Sequence, residues 1–176
     1  NVLSKYQNPQ TNLTQSIVCL EEIFRIYNER INPDIYTETQ YLLAQNYEQL
    51  TKHTNPEENM RQALTCMKSA LRSNRFKSEA EAGEAYCLAG SLFQKVAKLE
   101  KQPSEAITLL NGAITTYSMA LNIYHTDHSL QKRAEVITNL GKSYLSLAQF
   151  SEPLPNLLKA IENLETAREA ITSTTE

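Results

Sequence analysis

Three side chains that could bind a metal ion lie within four consecutive positions, at His125, Asp127 and His128. Imidazole and carboxylate groups bind zinc, and a structural zinc site uses four such ligands in a tetrahedral arrangement. Three ligands crowded into one short turn do not all point easily at a single ion. We therefore interpret this segment as a solvated turn in which Thr126 or Asp127 caps the next helix, and we expect no metal or other cofactor.

The chain has three cysteines, Cys19, Cys66 and Cys87, which are far apart and lie within helical patterns of apolar residues. An odd number of cysteines without a CxxC pair favours neither a zinc site nor a thioredoxin-like motif. Small buried apolar side chains are the simplest interpretation. Free thiols are typical of a reducing compartment, which predicts a cytoplasmic protein, with the nucleus as the alternative.

The sequence contains none of the short motifs that mark common enzymes, such as a Gly-rich phosphate loop, HExxH or GxSxG. Paired acids such as Glu57 and Glu58 lie on segments with helical spacing of apolar residues. We interpret them as solvated helix faces. We therefore predict that the protein is not an enzyme.

Composition limits the classes of partner. Of the 176 residues, 41% are apolar and 21% are charged, the net charge is −3, and there are only 4 glycines. This is enough apolar material for a core and too little glycine for a chain full of β-turns. A nucleic-acid surface needs a basic stripe, and no apolar run approaches a membrane span. We expect one domain over residues 1–176 that binds neither nucleic acids nor membranes.

The elements that must position these residues are helices. Ile137, Leu140, Gly141 and Tyr144 recur at steps of three and four, which places them on one helix face. A glycine inside a helix costs about 1 kcal/mol relative to alanine, so Gly141 requires a compensating role. We expect that role to be close approach of the partner helix, which a side chain would block.

Prolines mark the predicted helix starts. Asn32 and Asn55 each precede a proline, and Ser151 precedes Glu152-Pro153. The side-chain oxygen of such a residue can cap the free amide groups of a first turn, where proline needs no donor. Asn55 is the clearest case, because two acids follow Pro56 and favour the positive end of the helix dipole.

The pattern of a small residue followed by an aromatic recurs at Ala44, Gly90 and Gly141. Its order resembles a tetratricopeptide (TPR) repeat, in which two antiparallel helices meet at small residues. The NLG of residues 139–141 is similar to the long-helix variety in kinesin light chains and spindle-orientation adaptors. The resemblance implies an all-α, right-handed α-solenoid of about seven helices. We expect pairs at about 33–73, 78–125 and 129–172, preceded by a helix at about 11–30.

In the TPR family the first helices of the pairs line a concave groove, which takes a peptide or helix of a partner protein. The resemblance therefore implies a non-enzymatic scaffold or adaptor for a segment with both a basic and an acidic contact. Carrying the inward-facing positions of the family onto this chain gives the predicted partner-binding residues, which are Glu38, Tyr41, Gln45, Gln49, Glu84, Cys87, Ser91, Gln94, Lys95, Glu135, Thr138, Asn139, Lys142 and Leu145.

The alternative function is a regulatory or oligomerisation segment of a larger assembly. Residues 17–70 resemble the TPR-built subunit of the cohesin loader, and a TPR sensor attached to a bacterial effector is the other form. The last predicted helix carries Leu158, Leu164 and Ile171 as apolar area left over. A terminal solenoid helix should turn a polar face outward, so these residues predict a longer array or self-association through the C-terminal helix.

Overall fold

The computed structural model describes residues 8–124 and 130–172, with side chains to residue 170 in the last helix, and every regular element in these ranges is an α-helix. Seven helices lie within them: α1 (Pro9–Ile26), α2 (Pro33–Leu50), α3 (Pro56–Ser73), α4 (Glu79–Ala97), α5 (Pro103–Ile123), α6 (Leu130–Leu147) and α7 (Pro153–Thr172). Helices adjacent in sequence pack together within each half of the chain. The prediction of an all-helical fold built from helix pairs is confirmed.

The contacts divide the chain into two compact units, Asn1–Lys77 with α1 to α3 and Ser78–Glu176 with α4 to α7. In the first unit, Ile17 of α1 is buried with Leu43 and Leu50 of α2. In the second unit, Tyr117 of α5 is buried with Leu140 of α6. Each unit therefore has an apolar core of its own, and the single array over residues 1–176 stays a prediction.

The structure confirms one of the predicted asparagine caps and contradicts the other. The side-chain oxygen of Asn32 accepts a hydrogen bond from the Ile35 amide at 3.0 Å, so the predicted cap of α2 is confirmed. Asn55 instead has a left-handed backbone, with φ at 39°, and its side chain makes no capping hydrogen bond. The prediction for Asn55 is wrong because side-chain capping is typical of an extended residue before the helix, not a left-handed one.

A different asparagine stabilises the start of α3 and of α7. Asn59 Nδ2 donates to the Thr54 carbonyl at 2.6 Å, and Asn156 Nδ2 donates to the Ser151 carbonyl at 2.7 Å. Both asparagines are buried. In both turns the residue before the proline is left-handed, and in α7 it is Glu152, with φ at 42°. Ser151 therefore takes part through its carbonyl and lies one residue before the expected cap position.

The helix predicted over residues 11–30 ends earlier, at Ile26. Asn28 explains the end, because its side-chain oxygen accepts from the backbone amides of Arg30 and Ile31 at 3.0 and 3.1 Å. Such local hydrogen bonds of asparagine compete with the helical ones. The segment between α1 and α2 is therefore a turn.

The expected close approach at small residues is confirmed. Ala44 is fully buried, and Gly90 and Gly141 are also buried. A Cβ atom at Gly90 would lie 2.6 Å from the ring of Tyr117, and one at Gly141 would lie 3.2 Å from the carbonyl oxygen of Ala160. Real Cβ atoms do not approach other atoms to 2.6 Å. Glycine therefore allows α4 to pack on α5, and α6 on α7, at this separation.

Candidate partner-binding site

A cleft opens in the second unit where α4 and α6, the first helices of its two pairs, contact each other near the end of α5. Its volume is about 180 Å³. We call it the α4–α6 cleft, and it is lined by Glu84, Cys87, Tyr124, Lys132, Glu135, Val136 and Asn139. Four residues predicted to bind a partner, Glu84, Cys87, Glu135 and Asn139, therefore meet in one place.

A salt bridge crosses the α4–α6 cleft. Lys132 Nζ donates to Glu84 Oε1 at 2.7 Å and lies 5.7 Å from the ring centre of Tyr124. The hydrogen bond to Glu84, together with the charge of that carboxylate, raises the pKa of the Lys132 ammonium, and the charge of Glu135 contributes less. Both partners of the salt bridge are about half exposed, and such pairs contribute only about 0–1 kcal/mol. The lysine is therefore held in place weakly.

The thiol of Cys87 forms a less polar part of the same cleft. Burial, and then the charge of Glu135, raises its pKa to about 11, although a hydrogen bond with Tyr124 acts in the opposite direction. A thiol with this pKa is protonated near pH 7, and only the thiolate is a good nucleophile or metal ligand. Cys87 therefore offers a surface for contact, and no reactive group.

The side chain of Gln94, another predicted partner-binding residue, joins three helices. Its Nε2 donates to the carbonyl of Asn139 at 2.9 Å and to the hydroxyl of Ser143 at 2.6 Å. Its Oε1 accepts from the hydroxyl of Tyr117 at 3.3 Å. These hydrogen bonds link α4 to α5 and α6, so the Gln94 amide already binds neighbouring helices through both its nitrogen and its oxygen.

In the first unit, Glu38 lies in a separate cleft of about 540 Å³, lined also by Asp34, Ile35, Asn74, Arg75, Phe76 and Lys77. Lys77 forms a salt bridge with Glu38, and Arg75 forms one with Asp34 at 3.4 Å. Tyr41 is 7% exposed, and its ring meets that of Phe76 edge to face, with the centres 6.0 Å apart. Tyr41 therefore packs inside the unit.

The other predicted residues lie at the surface to different degrees. Gln49, Lys142 and Leu145 are exposed, and Gln45, Ser91, Lys95 and Thr138 are half-buried. The hydroxyl of Thr138 donates to the carbonyl of Ala134 in its own helix at 2.8 Å. None of these residues lines the α4–α6 cleft, and their binding role stays a prediction.

Sequence reasoning missed two lysines that accompany the predicted acidic residues. Glu38, Glu84 and Glu135 occupy the same position, six residues before Ala44, Gly90 and Gly141 respectively. Lys77 precedes α4 and pairs with Glu38, while Lys132 lies in the first turn of α6 and pairs with Glu84. A lysine at the start of the next first helix was the signal available in the sequence.

The remaining expectations concern metals and membranes. His125, Asp127 and His128 lie outside the described residues. Within the described ranges, no three His, Cys, Asp or Glu side chains are grouped so that they could hold a metal ion. None of the helices in those ranges combines the length and apolar character needed to cross a membrane.

Fold and site together define a protein of consecutive helix pairs with an open, charged cleft between first helices. Comparison of the chain with protein-family models, with curated proteins and with solved structures gave no match.

Proposed function

We propose that this protein is a non-enzymatic scaffold or adaptor of the TPR type, which binds a segment of a protein partner on the first helices of its pairs. The observation that carries the proposal is the meeting of Glu84, Cys87, Glu135 and Asn139 in the α4–α6 cleft. These residues come from two helices that are distant in sequence. Packing of helix pairs with small residues at their contacts also supports the resemblance on which the proposal rests.

The charges of the cleft favour a basic side chain in the partner. Two carboxylates, Glu84 and Glu135, face one ammonium group, that of Lys132. A lysine or arginine of the partner could take the place of Lys132 over the Tyr124 ring, since cations bind over aromatic faces. Charge-assisted hydrogen bonds to Glu84 or Glu135 would strengthen this contact. The weak internal salt bridge opposes such displacement by only about 1 kcal/mol or less.

Photo-crosslinking tests this proposal directly. A benzophenone amino acid replaces Glu135, which is exposed on α6, and in a control protein it replaces Thr115, which is exposed on α5. We expect a cell extract to yield a discrete crosslinked protein only with the probe at position 135. Mass spectrometry then identifies the crosslinked segment, which should contain a lysine or arginine. Equal crosslinking at both positions would contradict a binding role for the cleft.

Charge reversal then tests the chemistry of the contact. With the identified segment as a synthetic peptide, Glu84→Lys should weaken binding about tenfold, because it removes one carboxylate and adds a like charge. Glu162→Lys makes the same change on an exposed residue of α7, outside the cleft, and should leave the affinity unchanged. An unaltered affinity for Glu84→Lys, with folding verified by circular dichroism, would exclude the electrostatic part of the proposal.

A segment of a larger assembly is the second candidate function. The observation that favours it is the apolar surface of α7, where Leu158 and Leu164 are exposed, as predicted for leftover apolar area. Ile171 belongs to the same prediction, but its side chain lies outside the described residues. Self-association through this helix should appear in light scattering as a mass above that of the monomer.

A further inference from the structure

The exposed apolar residues of α7 lie on one flank of the helix. Leu154, Leu157, Leu158 and Ile161 are 68%, 38%, 59% and 52% exposed, and we call them the α7 flank. At 100° per residue they fall on one side of Ala160, which is buried at the contact with α6. The opposite side of α7 carries polar residues such as Lys159 and Thr166. The exposure is therefore a coherent stripe.

The equivalent flank of α5 is covered by the next first helix. Leu110 precedes Ala113 by three positions and Ile114 follows it, as Leu157 and Ile161 do around Ala160. Leu110 is only 2% exposed and is buried with Leu147 of α6, and Ile114 packs against the same cluster. In α5, then, the positions that correspond to Leu157 and Ile161 form an interface with a helix, whereas the position of Leu158 is held by the exposed Asn111.

The first unit repeats one part of this arrangement, the burial of the residue three positions before the contact residue. Ile17 precedes Leu20 by three positions, as Leu110 precedes Ala113 and Leu157 precedes Ala160. Ile17 is 6% exposed and packs with Leu43 and Leu50 of α2. The position three residues before the contact residue is therefore covered by the following first helix in α1 and α5, whereas in α7 the same position, Leu157, is 38% exposed.

We propose that the α7 flank docks an amphipathic α-helix of a partner protein, in the way that α5 receives α6. The docked helix would present apolar residues at steps of three and four, as α6 presents Val136, Leu140 and Leu147 to the cores of its unit. The interface would continue the helix-on-helix packing that is already present in the chain. The apolar residues of this site lie outside the α4–α6 cleft, and the inference does not rest on the function proposed for that cleft, although Glu135 belongs to both sites.

Charge specifies a second property of the docked helix. Glu38 and Glu84 each form a salt bridge with a lysine located just before, or in the first turn of, the next first helix. Glu135 holds the same position before Gly141. Across residues 8–124 and 130–172 no salt bridge to Glu135 is formed. We therefore infer that the docked helix carries a lysine or arginine near its N-terminus.

A second copy of the chain, paired through α7, fits this site less well. The first turn of α7 contains Pro153, Leu154 and Pro155 and has no basic residue, so it cannot supply the cation for Glu135. The second half of the stripe is interrupted by the exposed charges of Glu165 and Arg168, of which Arg168 stands where α5 has Leu121. These features favour a partner helix with its own charge pattern.

The sequence of α6 itself provides the probe, because α6 covers the equivalent flank of α5. A fluorescein-labelled peptide of residues 130–147 is stapled between positions 142 and 146, since an unstapled peptide of this length is only marginally helical in water. Fluorescence anisotropy measures its binding to the 176-residue chain. We expect saturable binding that Ile161→Asp or Leu158→Asp weakens about tenfold or more, because each places a charge on the apolar flank.

The controls separate docking from unfolding. Thr166→Asp introduces the same charge on the opposite, exposed side of α7 and should leave binding unchanged. A peptide with Lys132→Glu should bind several-fold more weakly to the wild-type chain, and Glu135→Lys in the chain should restore its affinity. Circular dichroism verifies that the variants are folded. We expect them to be, because Leu158 and Ile161 are exposed.

Three outcomes would overturn the proposal. They are no binding of the stapled peptide, binding that Ile161→Asp and Thr166→Asp weaken equally, and a wild-type dimer in light scattering that Ile161→Asp dissociates. The last outcome would assign the flank to a second copy of the chain. Because the Glu84→Lys variant affects the α4–α6 cleft alone, its result distinguishes failure at the cleft from failure at the α7 flank.

Discussion

Replacing Gly90 by alanine gives the sharpest test of the packing argument. Alanine should favour the helix by about 1 kcal/mol. Its Cβ, however, would lie 2.6 to 2.8 Å from three ring atoms of Tyr117. That ring is 1% exposed, and its hydroxyl donates to Gln94, so it has little room to move. Overpacking of this kind costs about 1–3 kcal/mol, and we expect a net loss of about 1–2 kcal/mol in the free energy of unfolding.

A second background reverses the sign of the effect. In Tyr117→Leu the atoms that meet the new Cβ are absent, so Gly90→Ala should stabilise that protein by up to about 1 kcal/mol through helix propensity alone. Urea denaturation of the four proteins in this double-mutant cycle measures the coupling. If Gly90→Ala has the same effect in both backgrounds, or stabilises the wild-type chain, then close packing of α4 on Tyr117 is not the reason for the glycine.

Three further predictions concern other parts of the chain. Asn59→Ala should lower the free energy of unfolding by about 1–3 kcal/mol in urea titrations, because it leaves the Thr54 carbonyl without its donor. Asn163→Ala removes an exposed hydrogen bond within α7 and should cost less. Equal losses in the two variants would argue against a stabilising role of the buried Asn59 side chain. Burial raises the Cys87 pKa from 9.0 to about 11, so the thiol of the unfolded state loses its proton first, and the free energy of unfolding should fall as pH rises from about 9 to 11. Denaturation of Cys87→Ala should show a weaker dependence on pH over this range. An unchanged dependence would refute the raised pKa of the Cys87 thiol. Lys142→Glu should weaken capture of an acidic partner in a binding titration, and an unaltered affinity would remove Lys142 from the predicted groove.

Much of the fold was predictable because it depends on local patterns. Apolar residues at helical spacing mark all seven helices, and proline in the first turn marks the start of five of them. The glycines at positions 90 and 141 also indicated where helices approach closely. The ends were harder to predict, since Asn28 stops α1 through a side-chain turn that competes with an otherwise good helical pattern.

The candidate site was predicted only in part. The repeat register put Glu84, Cys87, Glu135 and Asn139 on one surface, and in the structure these four residues line one cleft of the second unit. It could not place Lys132 against Glu84, because that contact joins residues 48 positions apart in sequence. It also put Tyr41 and Gln94 among the partner-binding residues. In the structure the Tyr41 ring is buried against Phe76, and the Gln94 amide binds neighbouring helices.

The amino-acid sequence alone determines that this chain forms helical hairpins and where their small contact residues lie, because helix periodicity and first-turn proline act within a few neighbouring residues. Only the tertiary structure decides which polar side chains remain available to a partner. A glutamate on a helix face has the same local pattern whether a distant lysine neutralises it, as in Glu84, or not. The packing of the helices decides whether such a lysine lies nearby. It likewise decides which apolar residues are covered, as in α5, and which stay exposed, as on the α7 flank.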